Sequence, residues 1–109
     1  MMKMLNNKLF LLGHVGADPE VRVLDSGRKM ARFSLATNES YLNALGDRVE
    51  KTYWHNIIFW NRGAEVVGER VRKGSKLLVE GQLTYRSWTD EAGVKHYRTE
   101  VVAWGLMLL

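Results

Sequence analysis

Aromatic side chains dominate residues 53–60, and their spacing suits stacking against flat apolar partners. If this segment is a β-strand, Trp54 and Trp60 lie on one face, roughly 20 Å apart at a rise of about 3.3 Å per residue. The other face then also holds large side chains, namely Tyr53, His55, Ile57 and Phe59. A strand that is apolar on both faces is either covered twice or keeps one face free for a flat apolar partner such as a nucleobase.

Two further rings, Tyr41 and Trp88, are expected outside the core, on outward faces or in loops. Base stacking on an aromatic ring is worth about 1–3 kcal/mol per base and tolerates any base sequence. Four such platforms would support non-specific binding of unpaired bases. The alternative is that each ring caps a barrel or fills a contact between subunits, but four rings with basic neighbours favour binding.

Basic residues are spread along the chain where they could follow phosphates between the rings. The candidates are Lys8, Arg22, Arg32, Arg48, Lys51, Arg62, Arg72, Lys73 and Arg86. We rank Arg32 and Arg86 highest, because both are expected on the outward register of strands. Arg72 and Lys73 rank lower, since cations at those positions also complement the negative end of a helix.

No other group of residues predicts catalysis or metal binding. The three histidines, His14, His55 and His96, lie on separate segments without the spacing of metal ligands, and no nucleophile is paired with a base. Gly13 and Gly16 resemble part of a dinucleotide loop, but no helix is expected to follow them. We therefore predict a protein that is not an enzyme, with no metal and no cofactor.

The composition fits a single small domain. The 109 residues, 46% of them hydrophobic, are enough for a real core, and the net charge of +4 weakly favours polyanionic partners. Cysteine is absent, which excludes disulfides and thiolate chemistry and fits a reducing compartment. No apolar run is long enough to span a membrane, and the first residues do not form a signal peptide. These features predict a cytoplasmic protein.

Period-two patterns and turn signals predict mostly strands. The candidate strands are residues 7–14, 21–24, 29–37, 52–60, 76–86 and 97–104, of which five are main strands. Inward residues are expected to be Ala31, Phe33 and Leu35 in the third strand and Leu77, Val79, Leu83 and Tyr85 in the fifth. Between Asn61 and Lys73, apolar residues recur at helical spacing before Gly74, which predicts one amphipathic helix. Strands, one helix and two more strands predict an all-β domain with one short helix, the five-stranded Greek-key OB-fold barrel.

The chain resembles a known family, the bacterial single-stranded DNA-binding proteins, over nearly its whole length. The matching segments are Asn7-Lys8-Leu9 leading to Gly13, Gly16-Ala17-Asp18-Pro19-Glu20-Val21-Arg22, Leu35-Ala36-Thr37-Asn38-Glu39-Ser40-Tyr41, Trp54-His55, Ala64-Glu65-Val66, Arg72-Lys73-Gly74-Ser75, Glu80-Gly81-Gln82-Leu83 and Trp88-Thr89-Asp90. The resemblance implies a homotetramer that binds single-stranded DNA without sequence preference during replication, recombination and repair. It also implies that bases stack on the rings at positions 41, 54, 60 and 88.

The chain departs from the family pattern at two platforms and at its end. Tyr41 stands where the family often has tryptophan, and Trp60 where it often has phenylalanine, so both positions keep a ring. The resemblance assigns His55 to the subunit contact. Family members usually continue into a linker and an acidic tail that recruits replication and repair enzymes, whereas the given sequence ends at Leu109 without either. Recruitment is therefore left open.

Three competing functions are weaker. A primosomal accessory protein of the same barrel type would typically be a dimer with fewer aromatic residues. A protein-interaction domain would bury its aromatic face against another subunit. A phosphohydrolase on this fold needs clustered acidic residues to hold magnesium, whereas the outward strand positions here are basic, neutral or aromatic.

Overall fold

The computed structural model describes residues 7–109, which form six strands and one helix. In chain order these are β1 (Leu9–Val15), β2 (Glu20–Val23), β3 (Lys29–Leu42), β4 (Arg48–Trp60), α1 (Arg62–Arg70), β5 (Lys76–Thr89) and β6 (Lys95–Leu108). The first six residues, on which the expectation of no signal peptide rests, lie outside the described part.

Five of the strands close into a barrel in the order β1-β5-β6-β4-β3, with β3 returning to β1. The closing contact is short and pairs Val15 with Leu35. The β4–β6 contact is parallel and pairs Ile57 with Val101, while the other pairings are antiparallel. The short β2 pairs only with β3, outside the barrel. The predicted Greek-key barrel with one helix is confirmed.

The barrel interior is built from the residues that alternate inward along each strand. The predicted inward set of the third strand is fully confirmed, since Ala31, Phe33 and Leu35 are all buried. Phe33 stacks on Phe59 of β4 with ring centroids 6.1 Å apart. The helix closes the core with Ala64 and Val67, and Val71, the residue directly after the helix, packs with them; all three are fully buried. Burial of these side chains supplies the main stabilisation of the domain.

Four strands are longer than predicted because two hairpins extend past the barrel. β3 continues to Leu42 and β4 begins at Arg48, which makes the β3–β4 arm (residues 37–53). β5 continues to Thr89 and β6 begins at Lys95, which makes the β5–β6 arm (residues 82–100). Residues on a two-stranded arm have no core to face, so the alternation of apolar and polar residues that predicts a strand is weak there.

The turns at the tips of both arms are held by the same kind of hydrogen bond, from backbone amides to an Asn or Asp side chain. The side-chain oxygen of Asn43 accepts hydrogen bonds from the amides of Leu45 and Asp47, both at 2.9 Å. Asp90 does the same for two amides at the tip of the β5–β6 arm. In each turn the glycine, Gly46 or Gly93, has φ of 82°, where a β-carbon would be strained. These turns fix the register of both arms.

Two element-level predictions are wrong in detail. Tyr85 was expected to point into the core with Leu77 and Val79, but it is 78% exposed because β5 has already left the barrel at that position. The helix ends at Arg70, before the predicted stop at Gly74, because Val71 adopts an extended conformation that places its side chain in the core. Gly74, with φ of 87°, instead forms the turn that leads into β5.

Candidate nucleic-acid interface

The candidate interface lies on one face of the sheet, the face opposite to the one that carries Ala31, Phe33 and Leu35. We call it the outer sheet face. On β3 and β4 it comprises the rows Met30–Trp60, Arg32–Ile58, Ser34–Asn56 and Ala36–Trp54. On the β5–β6 arm the same face carries the pairs Arg86–Arg98 and Trp88–His96. The register thus brings three of the four predicted rings, Trp54, Trp60 and Trp88, onto this face, together with Arg32 and Arg86.

Trp54 is the most open of the predicted platforms, with 61% of its surface exposed. The six-membered ring of its indole lies against Gly16, where a β-carbon would come within 2.4 Å of Cζ3. Any side chain at position 16 would therefore displace the ring. Gly16 leaves the space that this platform occupies, a role that the sequence alone did not reveal.

Trp60 is half-buried and has a cation over its ring. The guanidinium carbon of Arg28 lies 4.1 Å from the ring centroid, a cation–π contact. Arg28 reaches this position because the turn at Gly27 leads directly into β3, where Met30 pairs with Trp60. Sequence reasoning missed Arg28, although its place directly after a turn signal was visible.

Trp88 belongs to a cluster on the β5–β6 arm. Its cross-strand partner His96 stacks on it with centroids 5.4 Å apart and an interplanar angle of 17°, and Arg86 lies 5.0 Å from its ring. Nε2 of His96 lies 2.8 Å from Oδ2 of Asp90, which fixes the imidazole. This hydrogen bond, followed by the bond from the Val94 amide, holds the pKa of Asp90 below its ordinary value. His96 had been interpreted as one of several scattered histidines.

A groove of about 300 Å³ runs beside this surface, between the β1–β2 loop and the β5–β6 arm. Its lining includes the half-buried Arg32, Asn56 and Arg98. It also includes Asp18 and Glu20, whose carboxylates are already engaged by the Lys73 amide and by Arg22. The Nε atom of Arg32 is buried and has no hydrogen-bond partner among the described residues. A buried guanidinium nitrogen without an acceptor is costly, so this arginine is poised for an anionic ligand. Arg98 was not among the predicted cations.

Arg86 is shared between the arm and the barrel. Its Nε lies 3.4 Å from Oε1 of Glu100, whose side chain is only 5% exposed. Thr84 donates to the backbone carbonyl of Glu100 and packs beside it. The carboxylate partly neutralises Arg86 and orients its guanidinium beside Trp88, so this cation is held in position before any ligand arrives.

Tyr41 is placed differently from the other three rings. It lies within β3, and the register between β3 and β4 is uninterrupted, so Tyr41 is on the same face as Leu35. Trp54 is on the opposite face. Its ring is 45% exposed, and the ammonium of Lys51 lies 5.6 Å from its centroid. Tyr41 was expected outside the core, on an outward face or in a loop. It is outside the core, but it lies in the extended β3 and not in a loop, on the side of the arm that continues the inward face of the barrel.

His55, assigned to a subunit contact by resemblance, has a partner within its own chain. Its Nε2 lies 2.8 Å from Oγ1 of Thr37, and the pair is partly buried at the base of the β3–β4 arm. This contact ties β3 to β4 where the arm leaves the barrel.

The remaining predicted cations divide between the outer sheet face and structural contacts. Arg22 pairs with Met30 on the outer sheet face and forms an ion pair with Glu20. Arg48 contacts Ser40 and Glu50 on the β3–β4 arm.

Four of the cations lie away from this face or are committed elsewhere. Lys8 forms an ion pair with Glu80 at 3.2 Å, beside β1. Arg72 donates to the carbonyls of Gly68 and Val71 and thereby caps the helix. The amide of Lys73 donates to Asp18, and Arg62 lines a separate groove beside Trp104. The structure does not gather Lys8, Arg62 and Arg72 around the outer sheet face, whereas the backbone of Lys73 lies next to Asp18, which lines the groove beside that face.

Within residues 7–109 no three metal-binding side chains come together, and no helix has the length and hydrophobicity to cross a membrane.

Known proteins are similar to this chain in both sequence and structure. Residues 6–109 match the model of the single-strand binding protein family. The chain is similar to the SSB of Plasmodium falciparum, solved as a complex with ssDNA, at 32% identity and a TM-score of 0.87 over 94% of each chain. It is also similar to a deletion variant of the single-stranded DNA binding protein from Thermus aquaticus, at 29% identity and a TM-score of 0.84. That match covers 94% of this chain but 50% of the Thermus chain, so this chain spans about half its length.

Proposed function

The chain belongs to the single-strand binding protein family, and from this premise we propose that it binds single-stranded DNA without sequence preference. Its role is to coat and protect exposed single strands during replication, recombination and repair. The observation that carries the proposal is the outer sheet face, where the exposed ring of Trp54 adjoins a groove lined by Arg32 and Arg98.

Binding combines stacking with phosphate contacts. Bases stack on Trp54, Trp60 and Trp88, because every base has a π face and stacking needs no matching of hydrogen bonds. The guanidinium groups of Arg32 and Arg98 meet phosphates in the groove between these rings. Tyr41 with Lys51 forms a further platform on the reverse side of the β3–β4 arm, which a strand reaches by passing around that arm.

The cations beside the rings serve both parts of the site. Arg28, Lys51 and Arg86 each lie within 6 Å of a ring centroid, at Trp60, Tyr41 and Trp88 respectively. A base that stacks on such a ring brings its phosphate close to the adjacent cation. Binding of this kind uses no cofactor and hydrolyses no bond.

We also propose that the protein is a homotetramer. Leu12 pairs with Leu78, and Leu78 pairs with Met107, so these side chains form one row across β1, β5 and β6. Phe10, Leu12 and Met107 are each more than half exposed. A contiguous exposed apolar row of this kind is typical of a surface covered by another subunit. His55 contributes to the same assembly by family resemblance.

Cellular placement follows from the same function. A protein that coats single strands acts with the DNA in the cytoplasm, at the nucleoid. Recruitment of replication and repair enzymes is not assigned to any described residue.

The decisive experiment is a titration with oligothymidylate that follows tryptophan fluorescence, with a duplex of the same length as control. Stacking predicts strong quenching by the single strand and little by the duplex, with weaker binding at high salt. The competing interaction domain predicts tryptophans that are protected without DNA and do not respond to the oligonucleotide. Light scattering of the free protein, run alongside, measures its oligomeric state.

A further inference from the structure

The reverse side of the β5–β6 arm carries a second aromatic surface that the proposed function has not used. Tyr85 and Tyr97 lie on the face of the arm opposite to Trp88. Tyr85 is 78% exposed and Tyr97 is 74% exposed. In register, Tyr85 pairs with Thr99 and Ser87 pairs with Tyr97, so the two rings are diagonal neighbours across the arm. Large rings this exposed are unusual unless a partner covers them.

The two rings border a cleft. Its volume is about 310 Å³, and it is lined by Tyr85, Arg86, Ser87, Tyr97, Arg98 and Thr99. The volume lies at the low end of the range for small-ligand sites, about 300–1,000 Å³. Diagonal neighbours in a sheet are about 7–8 Å apart, which is within reach of aromatic side chains. The cleft therefore has the scale and the walls to receive a flat ring.

The charges around the cleft favour an anionic partner. The paired strand residues on this face of the arm are Leu83, Tyr85, Ser87, Thr89, Lys95, Tyr97 and Thr99. None of them is acidic. The ammonium of Lys95 lies 5.5 Å from the centroid of Tyr97. The hydroxyls of Ser87 and Thr99 add hydrogen-bond donors. No residue that lines the cleft is acidic, although Arg86 is already paired with Glu100. Aromatic rings, donors and the cations Lys95 and Arg98 match the chemistry of a nucleotide.

We propose that the reverse side of the β5–β6 arm is a second nucleobase-stacking site for single-stranded DNA, with Tyr85 and Tyr97 as its platforms. Arg86 and Arg98 line this cleft and also belong to the outer sheet face, so the two surfaces share their cations. A strand bound over Trp88 continues around the arm and remains beside guanidinium groups throughout. This inference rests on the proposed function and extends it to a surface that short strands need not reach.

The test compares the wild type with the double variant Tyr85→Ala/Tyr97→Ala and the ring-retaining variant Tyr85→Phe/Tyr97→Phe. The probes are an oligothymidylate of about 10 nucleotides, within the site size of one OB fold, and one several times longer. Loss of one stacked base predicts that the alanine variant binds the longer probe roughly 5- to 150-fold more weakly. The phenylalanine variant should retain the affinity, because both rings remain. Leu45→Ala, an exposed apolar truncation at the tip of the other arm, is the matched control.

Photocrosslinking supplies a direct readout. An oligonucleotide carrying 5-iodouracil should crosslink to peptides containing Tyr85 or Tyr97 in the wild type. This inference is overturned if the probe quenches the tryptophan fluorescence of the wild type, the alanine variant binds the probe equally well, and the wild type forms none of these crosslinks. The proposed function would then still stand. A wild type that does not bind the probe would instead defeat the proposed function. A changed molar mass of the alanine variant in light scattering would also overturn the inference, by assigning the tyrosines to a contact between copies.

Discussion

The imidazole of His96 lies against the indole of Trp88, with ring centroids 5.4 Å apart and planes within 17° of parallel. The two residues face each other across the β5–β6 arm, beyond the reach of the barrel core. An isolated two-stranded hairpin is only marginally stable. The stacked pair therefore stabilises the arm, while 43% of the surface of Trp88 remains exposed.

Replacing Trp54 or Trp88 by alanine should weaken binding of oligothymidylate by about 1–3 kcal/mol each, because each change removes one stacking platform. Both rings are substantially exposed, so the fold should persist. Fluorescence anisotropy measures the affinity, and circular dichroism measures the fold. Unchanged affinity in both variants would remove these rings from the site.

Gly16→Ala should weaken binding, but by less than Trp54→Ala, because the added methyl group shifts the indole without removing it. The new β-carbon would lie 2.4 Å from Cζ3 of Trp54, so the indole must rotate away. Gly68→Ala is the matched control: its β-carbon would lie 3.3 Å from Cγ2 of Val21, a tight contact, but Val21 is exposed and can shift by a few tenths of an ångström. Anisotropy titrations compare the three variants, and equal affinity of Gly16→Ala and wild type would contradict the role of this glycine.

Arg98→Met should lower affinity and make the log–log salt dependence shallower by about 0.7, the contribution of one neutralised phosphate on a single strand. Arg98 lines the groove beside Arg32, and methionine keeps an unbranched side chain there without the charge. Arg70→Met removes the same charge from the end of the helix and should leave the slope unaltered. Titrations at several salt concentrations measure both slopes; the prediction fails if the two variants behave alike.

The pKa of Asp90 should rise toward its ordinary value of 3.8 in His96→Ala, because the hydrogen bond from His96 is the largest cause of its lowering. In the wild type the folded-state pKa is the lower one, so the stabilisation is present above pH 3.8 and is lost as the pH falls through the lowered value. NMR titration of the Asp90 carboxyl measures this. The control is His14→Ala, which removes a histidine on β1. An unchanged Asp90 pKa in His96→Ala would show that the hydrogen bond from His96 does not cause the lowering.

Leu12→Glu should dissociate the proposed tetramer into smaller species. A charge in the row formed with Leu78 and Met107 would be buried without a partner if the subunits stayed together. Light scattering measures the molar mass. Leu45→Glu, at an exposed turn, is the control and should not alter it. Equal masses for Leu12→Glu and wild type would place the subunit contact elsewhere.

The barrel and its core could be predicted from the sequence because both depend on periodic patterns. Ala31, Phe33 and Leu35 alternate along a strand, and Ala64 and Val67 recur at helical spacing, so burial of each set follows from backbone geometry. The placement of Trp54, Trp60 and Trp88 on the outer sheet face could be predicted for a related reason: they fall outside those inward patterns. Residue type and strand period together were enough for this placement.

The tertiary structure alone decided how these residues meet. Pairing along the two arms placed Tyr41 on the reverse pleat, set His96 against Trp88, and exposed Tyr85 where a core residue was expected. It also brought Gly16 under Trp54 and Arg28 over Trp60. Such contacts depend on hairpin register and loop closure between segments far apart in the chain. Local periodicity carries no information about either, because it describes each strand by itself.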